Sequence, residues 1–267
     1  MYRPFAIILA FALTGCLNFS TEESTLEDSE PIPETETSME PVPTEDFLQV
    51  TPISHATMVL EWDGATIYVD PVGKTGTFEA NPAPELFLVT DIHGDHFKVP
   101  TLQEVSTPSS LLIVPQAVAN QLPANFDVPT KILDNNATHS WNGFTITAIP
   151  MYNLREEAKE FHEKGRGNGY LIEKNGKRVY ISGDTEDIPE MRNLENIDIA
   201  FVCMNLPYTM PVNSAAEAVL EFSPKIVYPY HYRGVDGLSD VSKFEELVTQ
   251  ENPDITVRQL DWYPDLE

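Results

Sequence analysis

From residue 47 onward, short apolar runs rich in β-branched and aromatic residues alternate with polar segments carrying Gly, Pro, Asn and Asp. Runs of that length and composition predict strands over 47–53, 57–62, 66–69, 86–90, 111–114 and 145–149 in the first half. In the second half they predict strands over 170–174, 178–182, 197–203, 226–230 and 256–259. Between them, apolar residues three and four apart predict helices over 102–105, 116–121, 189–193, 214–222 and 242–250. Ser214 followed by Glu217 reads as a capping box opening the fourth of these. Asp63-Gly64 and Asn175-Gly176 each separate two strand-like runs, the composition of tight hairpin turns. Hairpins require antiparallel pairs, so the pattern predicts an α/β chain and argues against a purely parallel doubly wound sheet.

Charge divides the chain into parts. The 267 residues hold 42 Asp and Glu against 16 Lys and Arg, a net charge of −26, with 42% hydrophobic residues. That hydrophobic content supports a folded body, and a surface of that sign repels phosphate polyanions, which argues against nucleic acid as a partner. Residues 1–16 carry one charge, Arg3, before an apolar run over 5–13 that is too short to span a bilayer and reads as a secretory signal. Residues 17–46 carry ten acidic side chains and no basic ones, with Pro31, Pro33, Pro41 and Pro43, the composition of a disordered tether. One folded domain, 47–267, remains. Cys203, within the apolar run 199–203, reads as a buried small hydrophobe.

Candidate chemistry collects at strand ends. Asp91-Ile92-His93-Gly94-Asp95-His96 directly follows a predicted strand and crowds two imidazoles with two carboxylates. Such crowding is costly without a compensating cation, so a divalent metal is the economical reading and a solvated acidic loop the competing one. Ser182-Gly183-Asp184-Thr185 ends a second strand, where Asp184 reads either as a ligand or as a helix cap. Tyr230-His231-Tyr232 ends a third. Three strand ends with ligand-type side chains imply one shared rim.

These segments resemble the metallo-β-lactamase-fold hydrolases over about residues 48–260. They are most similar to the branch of ascorbate-6-phosphate lactonase-like and N-acyl-phosphatidylethanolamine phospholipase D-like proteins. The resemblance implies a four-layer αβ/βα sandwich of two mixed sheets and one or two divalent ions, zinc first. Asp91 replaces the first His of the family's His-x-His-x-Asp-His motif and leaves manganese or iron open. It further implies metal ligation by Asp91, His93, Asp95, His96, Asp184 and His231, with Asp184 bridging. The family's mid-domain His is absent where Pro150-Met151-Tyr152-Asn153 closes the 145–149 run, leaving Asn153 as a weak carbonyl ligand and His162 as its rival.

For catalysis, Asp95 is expected to orient the nucleophile, and His162 or Tyr152 to stabilise the oxyanion or protonate the leaving group. His55, His162, Lys164 and Arg166 are expected to contact substrate, Asp70 to orient a ligand, and Arg233 to offer a further anion contact. The substrate expected is a small ester, lactone, amide or phosphodiester. Competing readings are a non-catalytic membrane-tethered binding module and a phospholipase D-like enzyme acting on membrane lipid. Leu13-Thr14-Gly15-Cys16 resembles a bacterial lipobox, implying lipidation at Cys16 and, with Leu17 next, attachment to the outer membrane facing the periplasm. The oligomeric state is left open.

Overall fold

The computed structural model describes residues 42–45, 47–74 and 76–264. The signal segment with Cys16 and the tether up to residue 41 lie outside the described residues. In the first half the strands are β1 (Val42–Glu45), β2 (Leu48–Ser54), β3 (Thr57–Trp62), β4 (Ala65–Val69), β5 (Leu86–Leu88), β6 (Leu111–Val114) and β7 (Thr130–Ile132). The second half holds β8 (Thr138–Trp141), β9 (Phe144–Met151), β10 (Gly167–Lys174), β11 (Lys177–Ile181), β12 (Ile199–Cys203), β13 (Ile226–Tyr230) and β16 (Thr256–Val257). A small hairpin, β14 (Arg233–Gly234) with β15 (Gly237–Leu238), stands apart from both sheets. The helices are α1 (Val99–Val105), α2 (Gln116–Ala119), α3 (Pro189–Arg192), α4 (Val212–Phe222) and α5 (Val241–Glu251).

Two seven-stranded sheets result, ordered β1-β2-β3-β4-β5-β6-β7 and β16-β13-β12-β11-β10-β9-β8. Each opens as an antiparallel meander of four strands and continues as parallel strands reached by crossovers. Mixed sheets flanked by helices are the architecture that the family resemblance implies, and the hairpin dipeptides predict its antiparallel pairs. Asp63-Gly64 and Asn175-Gly176 turn with positive φ at both residues, as a two-residue hairpin needs to match strand twist. The same device, Asn142-Gly143, joins β8 to β9.

The period-2 alternation sorts side chains between two cores. Met58, Leu60, Ile67, Val69, Leu86 and Leu88 share one core with Phe144, Ile146, Tyr170 and Ile172 of the second sheet, so the sheets pack face to face. Val59, Tyr68, Phe87 and Leu112 point to the opposite face of the first sheet and pack with Leu102 of α1 and Val118 of α2. The parallel strands β12 and β13 are buried along their whole length, and Cys203 is a buried free thiol whose pKa burial pushes up to about 12.

Some expectations change. Helix α4 begins at Val212 with Pro211 at its cap and no side-chain cap bond, so Ser214 lies inside the first turn and the capping box does not form. Asp240 instead caps α5, accepting from the Lys243 N–H at 2.9 Å. The edge strand β7 and the half-exposed β8 escape the hydrophobic pattern, and Val42–Glu45, assigned to the tether, pairs antiparallel with β2. Among the described residues no helix is long and apolar enough to cross a membrane.

Candidate metal centre

The rim is built where chain leaves the ends of β4, β5, β11 and β13 and where the long excursion between β9 and β10 returns. Three turns there place a non-glycine residue in the left-handed region: His55, Asp70 and His231, with φ of 51°, 44° and 44°. His and Asp tolerate that region better than most residues, and such conformations concentrate at functional sites. At the end of β11, Gly183 also has positive φ, and a Cβ there would meet Met151 Sδ at 2.5 Å, so only glycine lets Asp184 turn inward.

Two three-residue groups lie side by side. Asp91, His93 and His162 form one, Asp95, His96 and His231 the other, each with one ligand atom per residue inside 4.8 Å of its partners. Asp184 stands between them: Oδ2 is 3.3 Å from His162 Nε2 and 3.4 Å from His96 Nε2, and Oδ1 is 3.4 Å from His231 Nε2. His96 Nε2 and His231 Nε2 approach to 3.1 Å.

His96 is aimed from behind. Its Nδ1 faces Asp70 Oδ2 at 2.8 Å, and the same carboxylate accepts from the Thr90 N–H at 2.7 Å and the Thr90 hydroxyl at 2.6 Å. A carboxylate behind a histidine fixes the tautomer and frees Nε2 as a ligand. Burial lowers the His96 pKa, but the charges of Asp184 and Asp70 outweigh it and hold the group well above its usual value. Burial likewise raises Asp184, and the neighbouring His231 and His96 overcome it, leaving that carboxyl well below the usual range.

His162 is held by a loop. Its Nδ1 lies 3.1 Å from the Tyr208 carbonyl, so it donates there and Nε2 keeps its lone pair. Asn153 brackets that loop: its N–H donates to the His162 carbonyl at 2.9 Å, and its side-chain amide donates to the carbonyls of Ala158 at 2.8 Å and Tyr208 at 2.7 Å. Of the two rivals for the mid-domain position, His162 stands beside Asp91 and His93, and Asn153 spends its side-chain N–H donors on the His162 loop while its Oδ1 stays buried and unpartnered.

Asp91 is fully buried and faces two partners. His93 Nδ1 is 2.7 Å from its Oδ2, and the Arg166 guanidinium donates Nε–H to Oδ1 at 3.1 Å and Nη2–H to Oδ2 at 3.0 Å. Burial works to raise this carboxyl, but the His93 hydrogen bond and the charges of His96, His93 and Arg166 pull it down to about 2. Arg166, expected to face substrate, thus neutralises a ligand candidate. Lys164 is bound to Glu190 at 2.9 Å and to the Tyr152 hydroxyl at 3.1 Å, and that hydroxyl donates to Glu190 at 2.9 Å. Tyr152 and Lys164 form their own cluster and line no part of the cleft described next.

A cleft of about 420 Å³ opens over the two groups, lined by His55, His93, Asp95, His162, Asp184 and His231 and by Phe161, Asn205, Tyr208, Arg233 and Gly234. His55 packs edge-on against His231, with ring centroids 5.2 Å apart, and its Nδ1 lies 3.3 Å from the Tyr263 hydroxyl. Burial, followed by His231, lowers its pKa to about 4. Asn205 and Tyr208 were not singled out from sequence, although Asn205-Leu206-Pro207-Tyr208 follows the apolar run of β12 as the other site segments follow theirs.

A divalent metal fits this donor set. His162 Nε2, Asp184 Oδ1, His231 Nδ1 and the Asn153 side-chain carbonyl Oδ1 are buried and lack a hydrogen-bond partner, an expensive arrangement unless a cation satisfies some of them. Imidazole and carboxylate donors suit zinc, iron or manganese.

Comparison with known proteins agrees. The description "Beta-lactamase superfamily domain" matches residues 49–231. A UPF0173 metal-dependent hydrolase of Pyrococcus abyssi is 29% identical over 214 residues, 76% of this chain and 92% of the relative. The crystal structure of a candidate metal-dependent hydrolase from Parabacteroides distasonis has 37% identity and a TM-score of 0.73, covering 81% of this chain and 94% of the other. Igni18, a metallo hydrolase from Ignicoccus hospitalis, shares the fold at 21% identity and a TM-score of 0.67, covering 80% and 94%.

Proposed function

The chain belongs to the beta-lactamase superfamily and is a metal-dependent hydrolase, and from that premise we propose that it cleaves a small ester, lactone, amide or phosphodiester at a two-position metal centre. In this reading Asp91, His93 and His162 would hold one cation and Asp95, His96 and His231 the other, with Asp184 available to both, zinc the first candidate and manganese or iron the alternatives. The observation that carries the reading is the convergence of six donors around Asp184, with His162 Nε2 and Asp184 Oδ1 among the buried atoms left without partners. A bound divalent cation supplies Lewis acidity and a nucleophile drawn from water at neutral pH.

The chain's own groups do the rest. Asp95 is half exposed on the cleft and held ionised, against its burial, by the His231 hydrogen bond and the neighbouring His96, so it is placed to accept and pass on the nucleophile's proton. Asn205 and Tyr208 line the wall beside His162, and His55, held largely neutral, lines the side near Tyr263. We retain as part of the proposal an N-terminal lipid anchor at Cys16 that tethers the domain to the outer membrane facing the periplasm.

A panel of aryl esters, lactones, amides and phosphodiesters tests this with zinc-, manganese- and iron-loaded protein. Turnover of at least one class that disappears in Asp184→Ala is the expected result. Full metal loading with no turnover of any class would contradict the substrate reading.

A further inference from the structure

Three cations flank the site in sequence, Lys164, Arg166 and Arg233, and the structure separates their roles. Lys164 is tied to Glu190, and Arg166 commits its fork to Asp91. The Arg233 side chain makes no hydrogen bond or ion pair among the described residues, and the residue is exposed. Arg155, Arg178 and Arg192, by contrast, each pair with a carboxylate. Among the described residues, Arg233 is the one Lys or Arg that lines the cleft.

Its base is fixed while its head is free. The Arg233 N–H donates to the Tyr263 hydroxyl at 3.1 Å. The next residue, Gly234, presses against Leu206: a Cβ there would lie 1.8 Å from the Leu206 carbonyl oxygen, and that oxygen accepts from the Val235 N–H at 3.1 Å. The chain therefore leaves His231, makes a pinned hairpin, and presents a guanidinium at the cleft two residues later. The cleft's carboxylates, Asp95 and Asp184, lie among the imidazoles of the candidate metal centre, whereas its unpaired positive charge belongs to the hairpin.

We propose that Arg233 selects substrates carrying an oxyanionic group, a carboxylate or a phosphate, apart from the bond that is cleaved. A guanidinium pairs with such groups through two parallel N–H donors, and the charge-assisted bonds are the strong ones. The proposal rests on the hydrolase reading and narrows it to anionic substrates.

The test uses the metal-loaded full chain and three matched aryl esters whose acyl ends carry a neutral methyl, a carboxylate or a phosphate. The expected kcat/KM ratio of anionic to neutral ester exceeds one, falls about tenfold in Arg233→Ala, is partly kept in Arg233→Lys and inverts in Arg233→Glu. The larger loss between the carboxylate and phosphate arms identifies the preferred group. Lys243→Ala, which removes an exposed cation on α5 away from the cleft, leaves the ratio unchanged. Calorimetry with phenyl phosphate and monobenzyl succinate gives a readout independent of turnover, with binding about tenfold weaker in Arg233→Ala. Ester turnover with the same ratio in wild type and Arg233→Ala would overturn this inference and leave the hydrolase reading standing. If no ester turns over, equal binding of both anions by wild type and Arg233→Ala overturns it, and Arg233-dependent binding supports it while esters drop out of the hydrolase reading.

Discussion

The two three-residue groups contain similar side chains and are supported differently. His96, in the turn that follows β5, and His231, directly after β13, are almost wholly buried, and Asp70 with Thr90 braces His96 from behind. In the other group His93 is 41% exposed, His162 rides on the loop between β9 and β10, and Asp91 is already neutralised by Arg166. A donor braced from behind by buried hydrogen bonds, as His96 is by Asp70, keeps its geometry without a metal, while one carried on the long excursion between β9 and β10, as His162 is, must be ordered by contacts such as those of Asn153. In the proposed reading the tighter position is therefore that of Asp95, His96 and His231, and the conditional one that of Asp91, His93 and His162.

The largest expected effect erases the comparison. Asp184→Ala removes the residue common to both groups, and losing transition-state stabilisation of several kcal/mol lowers kcat on the order of 10³-fold. Steady-state kinetics and elemental analysis of the variant measure both consequences.

Next comes the pair that distinguishes the conditional position. Arg166→Gln removes the guanidinium from a buried Asp91 carboxylate that keeps its contact with His93, and loss of these charge-assisted bonds costs about 1–3 kcal/mol in the metal-free protein. Urea unfolding measures this, and metal loading recovers part of it if Asp91 is a ligand. The sign of the pH dependence follows from a carboxyl depressed to about 2: its stabilisation is present above the unfolded value near 4 and fades as pH falls through about 2. The wild-type advantage over Arg166→Gln should hold from pH 7 to about 4.

Smaller effects sharpen the contrast. Asp70→Asn weakens the brace on His96 and lowers metal affinity at the tighter position by about 10- to 100-fold. Asn153→Ala frees the Ala158 and Tyr208 carbonyls that steady His162, and it weakens the conditional position by about tenfold while sparing the other. Competition with a chromophoric chelator resolves both.

The same contrast explains what could be read from sequence. Asp63-Gly64 and Asn175-Gly176 specify their hairpins locally, and Asp95, His96, Asp184 and His231 each follow an apolar run that ends at the rim. Strand β8 was not legible because its buried face is incomplete, although Asn142-Gly143 marks its turn as plainly as the other two pairs mark theirs. The choice of His162 over Asn153 depends on how a long loop folds back, through the Asn153 N–H to the His162 carbonyl and His162 Nδ1 to Tyr208. No hydrophobic period encodes that return. The Asp91 to Arg166 pair spans 75 positions and becomes visible only once both sheets are in place.

The most direct measurement is a calorimetric zinc titration of the metal-stripped chain, His162→Ala and His231→Ala. Two equivalents of unequal affinity are expected in the wild type, with loss of the weaker alone in His162→Ala and loss of the tighter in His231→Ala. A single class of sites, or loss of the tighter equivalent in His162→Ala, would contradict the two-position reading.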